Sequence, residues 1–202
     1  MTAEPFLLEA ESLISSFATT VSAIARREYQ MFGRFKEHQP PLAQQIRRYW
    51  TELGFNFPGV TTPWSAVFVS WCVKRAGATA NEFRFAPQHS VFVYHAIRNA
   101  LAQTGVFRAY PVTHYAPQVG DIIHNNRGGN AYTYDFASRN LYYSSHTAIV
   151  VGRGADASGS YVVTVGGNES NSVGTRRVRV NASGLVIQRQ ANPFICVIRT
   201  LK

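Results

Sequence analysis

Acidic residues are scarce in this chain: 11 Asp and Glu stand against 20 Lys and Arg in 202 residues, a formal net charge of +9. A surplus of that sign favours polyanionic partners, whether nucleic acid, anionic lipid or an acidic cell-wall polymer. No zinc finger, RNA-recognition signature or helix-turn-helix pattern accompanies the charge, so a nucleic-acid reading has charge alone behind it. Cysteine is scarce as well. Cys72 and Cys196 make neither a disulfide framework nor a Cys-x-x-Cys pair, and each lies in an apolar run of the kind that buries a free thiol. The six histidines include no His-x-x-x-His pair. That leaves a metal only a site assembled from distant histidines, and neither metal nor cofactor is expected. No apolar run reaches the roughly 18 residues that a membrane span needs. The stretch from Met1 to Ala10 lacks the positive start and unbroken apolar run of a secretory signal. Synthesis in the cytoplasm is therefore expected, with any export by a route that uses no cleaved signal.

Hydrophobic residues make up 46% of the chain and aromatics 13%, enough for the core of one globular domain. Apolar residues at helical spacing predict one or two helices over 6–32, a second over 41–53 and another over 88–103. Residues 1–54 read as a helical extension and 60–202 as the main body of a single domain. After Gly105 the period changes. Strands are expected at 106–110, 122–124, 144–152, 161–165, 178–180, 185–188 and 194–199, with a turn at 155–160. The order, helices first and then a mostly antiparallel sheet, is that of an α+β fold. Residues 125–143 read as a long polar and aromatic connection. Tyr134 and Tyr143 on it are candidates for lining a substrate cleft, as is Trp64, and each has packing as its alternative.

The chain is organised around the helix expected at 61–77. Thr61 or Thr62 is placed to cap it, Pro63 suits its first turn, and Lys74, Arg75 and Gly77 end it. Ser65 falls in the first turn, where unpaired N–H groups and the positive dipole end favour developing negative charge. It reads as a nucleophile or as a cap. His89, near the start of the 88–103 helix, faces a cleft or caps that helix. His146 opens a strong apolar strand, and Asn168 follows the end of the next one. If the two strands form a hairpin, both lie at one edge. Ser65, His146 and Asn168 then supply nucleophile, base and orienting amide.

Four motifs occur in order: Pro63-Trp64-Ser65-Ala66-x-Phe68-Val69-Ser70-Trp71-Cys72, Gly120-Asp121-Ile122-Ile123, His146 leading its strand, and Gly166-Gly167-Asn168-Glu169-Ser170-Asn171-Ser172-Val173. Together they resemble the papain-like peptidases and amidases of the NlpC and CHAP type. With Phe32-Gly33-Arg34 upstream, the chain looks closer still to the bacterial "domain of unknown function 2272" family. The resemblance implies a papain-like fold and a hydrolase for an amide bond in peptidoglycan peptides. It implies Ser65, His146 and Asn168 as catalytic residues; Trp64, His89, Tyr134 and Tyr143 are the candidates for substrate contact by their own positions. Asp121 would shape a strand entry, and Cys72, two turns beyond Ser65, would be a core residue. Partners would be an acidic wall polymer or peptide and an immunity or secretion protein, with export through a secretion system or a phage route. The papain-like enzymes carry Cys where this chain has Ser65. The residue is then a native serine nucleophile, a Cys→Ser replacement, or the mark of a silent site on a fold kept for binding. The same constellation also serves acyl transfer and ester hydrolysis.

Overall fold

The computed structural model describes residues 15–202. Helices come first: α1 (Ser16–Phe32), α2 (Pro40–Thr51), α3 (Ser65–Arg75) and α4 (His89–Ala102). They are followed by β1 (Phe107–Pro111), β2 (Ile122–Asn126), a short α5 (Tyr134–Arg139), β3 (Ser145–Asp156), β4 (Gly159–Gly166), β5 (Gly174–Arg179) and β6 (Phe194–Thr200). The strands form one six-stranded sheet in the order β1-β6-β2-β3-β4-β5, and every pairing is antiparallel. The last strand is inserted between the first two. Its residues Phe194 to Ile198 are all buried, as a strand covered on both faces requires. The fold is thus α+β, with helices packed on an antiparallel sheet.

Side chains alternate across the sheet, and the two faces meet different cores. Ile149 and Val151 of β3 join the helices, with Phe68 and Trp71 of α3 in the same cluster. Val150 points the other way, to a smaller cluster with Ile123, Val162, Val178 and Val197, closed by Val186. Asp121 ties the β2 entry together. Its carboxylate accepts from the Gln118 N–H at 2.7 Å, the Thr200 N–H at 2.9 Å and the Tyr115 hydroxyl at 2.9 Å.

Several boundaries differ from the sequence reading. The part of the 6–32 helix before residue 15 lies outside the described residues. α1 begins on the Ser15 hydroxyl, which accepts from the Ala18 N–H at 3.1 Å. Neither Thr61 nor Thr62 caps α3. Trp64 is the N-cap, with no side-chain capping bond, and Ser65 is the first helical residue. The helix is also buried all round from Ser65 to Val73, rather than on one face. Its consecutive Ala66, Val67, Phe68 and Val69 leave no polar side, which is the pattern of a central helix. The 125–143 connection is broken up, because β2 continues to Asn126 and α5 starts on a Thr133 cap. The expected turn at 155–160 shrinks, since β3 runs to Asp156 and β4 starts at Gly159. At 185–188 there is only an isolated bridge between Val180 and Val186.

Candidate active site

Three element starts converge at one end of the sheet. Ser65 begins α3, His89 begins α4, and Thr147 is near the start of β3. Ser65 Oγ lies 2.6 Å from His89 Nε2, and His89 Nδ1 lies 2.6 Å from Thr147 Oγ1. His89 is buried, and burial pushes its pKa well below the ordinary histidine value; the charges of His146, His124 and Arg127 add to the lowering. A neutral imidazole carries one N–H, and here each ring nitrogen faces a hydroxyl. With the proton on Nδ1 and donated to Thr147, Nε2 is free to accept the Ser65 O–H.

His146 stands beside this pair. Its ring centroid is 5.2 Å from that of His89, at an interplanar angle of 65°. Its Nε2–H donates to Glu169 Oε1 at 2.8 Å, and Glu169 Oε2 accepts from Arg176 Nε at 2.5 Å. Burial raises the Glu169 pKa. The hydrogen bond from His146, with the charges of His146 and Arg176, outweighs burial and holds it at about 2. His124 fixes the backbone from below. Its Nδ1–H donates to the His146 carbonyl at 3.1 Å, and its Nε2 accepts the Tyr143 hydroxyl at 3.0 Å. Burial pushes His124 down to about 3, and the charge of His146 also lowers it.

What brings the hairpin edge onto α3 is Gly167. A Cβ at that position would sit 2.5 Å from Phe68 Cβ and 2.8 Å from the Trp64 ring. Only a residue without a side chain lets the β4 end approach the start of α3 so closely. Beyond it the chain turns through Asn168, Ser170 and Asn171, all at positive φ of 54–61°.

The sequence-predicted residues come together in a changed arrangement. The partner of Ser65 Oγ is His89, whose sequence reading was a cap or a cleft residue. His146 is bonded to Glu169 and not to Asn168, because the left-handed turn carries the next side chain back to the imidazole. Asn168 does line the same cleft as His146. Trp64 is fully buried and so does not flank an opening. Its indole N–H donates to Glu37 Oε2 at 3.0 Å, and its ring stacks with Tyr49 at 6.1 Å between centroids. The Tyr134 hydroxyl donates to the Ala109 carbonyl at 2.9 Å, and that of Tyr143 is given to His124. Cys72 is buried, and burial followed by the charge of Glu28 pushes its thiol far up.

Two residues escaped the sequence reading. Thr147 is one apolar-strand residue among several and carried no signal. Glu169 did have one: it is the sole acid after Asp156, amid a surplus of arginines. The cleft that His146, Asn168 and Glu169 line has a volume of about 450 Å³. Ser65 is only 2% exposed and is not part of its lining. Among the described residues no group of three or more His, Cys, Asp or Glu is placed to hold a metal ion, and no helix is long and apolar enough to cross a membrane.

The fold and this end of the sheet define an α+β protein with a Ser–His pair at a helix start and a His–Glu pair alongside. The model of a family described as "Uncharacterized protein conserved in bacteria (DUF2272)" matches residues 41–196, and the chain belongs to that family. No curated protein and no solved structure matches it.

Proposed function

We propose that this protein is a hydrolase of amide bonds in bacterial cell-wall peptides, built on a papain-like fold of the NlpC and CHAP type, with Ser65 as its nucleophile. The observation that carries this reading is the 2.6 Å contact between Ser65 Oγ and the neutral His89. A serine hydroxyl is a weak nucleophile until a base takes its proton. In the papain-like enzymes a thiolate stands at this place, and a serine depends far more on such a base. Ser65 Oγ attacks the carbonyl carbon and its proton passes to His89 Nε2, while His89 Nδ1–H stays on Thr147. The first N–H groups of α3 lie ahead of the first closing bond, from the Phe68 N–H to the Trp64 carbonyl at 3.1 Å. They are oriented toward the charge that develops on the carbonyl oxygen. The C–N bond then breaks as the leaving amine takes that proton from His89 Nε2, while His146, its Nε2–H held by Glu169, presents Nδ1 to the amine N–H from the cleft side. Water next attacks the acyl carbon and gives a proton to His89 Nε2, and the bond to Ser65 Oγ breaks as Oγ regains that proton. A surplus of positive charge suits an acidic wall polymer.

A second reading has an observation of its own. Ser65 is buried away from the cleft, as expected of a binding module in which the Ser65–His89 bond only holds two helices together. The two separate on purified sacculi incubated with wild type, Ser65→Ala, His89→Gln and His146→Ala. Catalysis predicts muropeptide release by the wild type, with a loss of about 10²–10⁴-fold in the His89 variant and none left in Ser65→Ala. Release that survives Ser65→Ala removes Ser65 as the nucleophile. Sacculus binding without release by the wild type selects the binding module.

A further inference from the structure

The cleft beside His146 is lined by far more positive than negative charge. Arg127, Arg176, Arg177 and Arg189 all border it, and Glu169 is its single carboxylate. That carboxylate is already taken by His146 and by Arg176 Nε. Arg177 is answered from outside the cleft, by Asp156 at 3.0 Å. Among the described residues Arg127 has no side-chain partner, and no acid lies within salt-bridge reach of Arg189. The Arg189 side chain is nonetheless held in place. Its Nε–H donates to the Asn192 carbonyl at 3.0 Å, and the guanidinium lies 4.4 Å over the Phe194 ring. The fork of terminal nitrogens is left over. Burial lowers its pKa from the ordinary value, and the neighbouring charge of Arg176 lowers it further. Like charges held this close cost stability unless something between them answers them.

We propose that this cleft is an oxyanion-binding site, in which Arg189 and Arg127, with Arg176 beside them, grip a carboxylate or phosphate group of the ligand next to His146. A fixed guanidinium fork matches the two oxygens of such a group, and Arg189 is already oriented by Asn192 and Phe194. The Asn168 and Asn125 side chains on the same wall supply neutral polar partners. The identification of the anion as part of the substrate rests on the amide-hydrolase reading of Ser65; the binding site itself does not. In that reading the anion fixes which acyl group lies along the cleft, so an acidic residue next to the scissile bond is the recognised feature.

The test uses calorimetric titration of the full chain with three probes: acetyl-Ala-Glu-amide, its neutral counterpart acetyl-Ala-Gln-amide, and inorganic phosphate. Arg127→Gln and Arg189→Gln replace exposed side chains, and Arg189→Lys keeps the charge without the fork. The expected result is saturable binding of one of the two anions, at least about tenfold tighter than the neutral peptide. It should weaken about tenfold in each Gln variant, weaken measurably in Arg189→Lys, and fall with added salt. Tighter binding of the acidic peptide assigns the site a carboxylate, and tighter binding of phosphate assigns it a phosphorylated group. The proposal is overturned if neither anion outcompetes the neutral peptide, or if the binding survives both Gln substitutions. Ser65→Ala should bind the anion as the wild type does. Anion binding without any hydrolysis would therefore remove only the enzyme reading, and hydrolysis without anion binding only this site.

Discussion

His146 Nε2 bonds Glu169 Oε1 at 2.8 Å, although the hairpin register points one residue earlier. Ile149 faces Val165 and Val150 faces Thr164, so a continued ladder would set Asn168 opposite His146. The β3–β4 ladder stops at the Ile149–Val165 pair, and β4 ends at Gly166. Asn168 takes a left-handed conformation at φ 55°, and the following carboxylate swings back to the imidazole. The difference is chemical as well as geometric. An amide can turn either an oxygen or an N–H to a histidine, whereas an ionised carboxylate only accepts and so fixes the N–H on Nε2. Arg176 holds the far oxygen and with it the orientation of the carboxylate.

Substitutions at the two neighbours should therefore diverge. Asn168→Gly removes the amide but leaves the positive φ at no steric cost. Its stability should stay within about 0.5 kcal/mol of wild type and its sacculus turnover within a few-fold. Glu169→Ala strips His146 of its orienting acceptor and Arg176 of its partner, and turnover should fall by about 10²-fold or more. Glu169→Gln keeps an acceptor without the charge and should fall between the two. The assignment of Glu169 fails if Asn168→Gly loses as much activity as Glu169→Ala.

Much of this was legible in the sequence because it rests on local pattern. The spacing in 88–103 and the apolar runs at 144–152 and 194–199 each yielded an element in nearly the expected place. The burial of Cys72 followed from its surroundings. The pairing of His89 with Ser65 was not legible, because it depends on two helix starts 24 residues apart meeting across β3. Thr147 acquires its role only through that meeting. Nor does composition say that β6 enters between β1 and β2; its continuous burial is compatible with any central position. Glu169 was legible in principle, since a lone acid in a basic stretch demands a partner, but a continued hairpin register sets its neighbour Asn168 opposite His146.

Stability against acid should report the buried histidines. In the unfolded chain His124 titrates near 6.5, about the ordinary histidine value, whereas burial holds it at about 3 in the fold. Between those values the unfolded chain binds a proton that the native one does not. Stability therefore falls as pH drops below about 6.5 and stops falling on this account near 3. Other groups complicate the raw profile. His89 and His95 are lowered by burial in the same direction. Asp121 is raised by burial to about 6, against its backbone hydrogen bonds, and acts oppositely over the window between its unfolded value and 6; Glu28, also raised by burial, acts in the same sense as Asp121. A comparison with His124→Asn removes these, since they remain in each protein, and Asn keeps a donor toward the His146 carbonyl. In urea unfolding from pH 7.5 to pH 5, the wild type should lose about 2 kcal/mol more than the variant. Parallel profiles would show that His124 is not held neutral.

The approach of the β4 end to α3 predicts a cost at Gly167 that Gly152 on the same hairpin does not share. An added Cβ would meet Phe68 Cβ at 2.5 Å and Cγ at 2.8 Å, and both belong to a fully buried side chain with no room to retreat. Gly167→Ala should therefore destabilise by about 1–3 kcal/mol, in the range of overpacked cores. Gly152, in the adjacent strand, is the control: the nearest atom to its added Cβ is the tip of the flexible Arg26 side chain at 3.4 Å. Gly152→Ala should change stability by no more than about 0.5 kcal/mol. Urea midpoints at constant slope measure both. The two variants should also differ in chemistry, because displacing the hairpin edge from Trp64 and Phe68 moves Glu169 and His146 relative to Ser65. Gly167→Ala should thus lose sacculus turnover even at temperatures where it remains fully folded. Equal midpoints for the two variants would show that Gly167 is not what seats the hairpin on the helix.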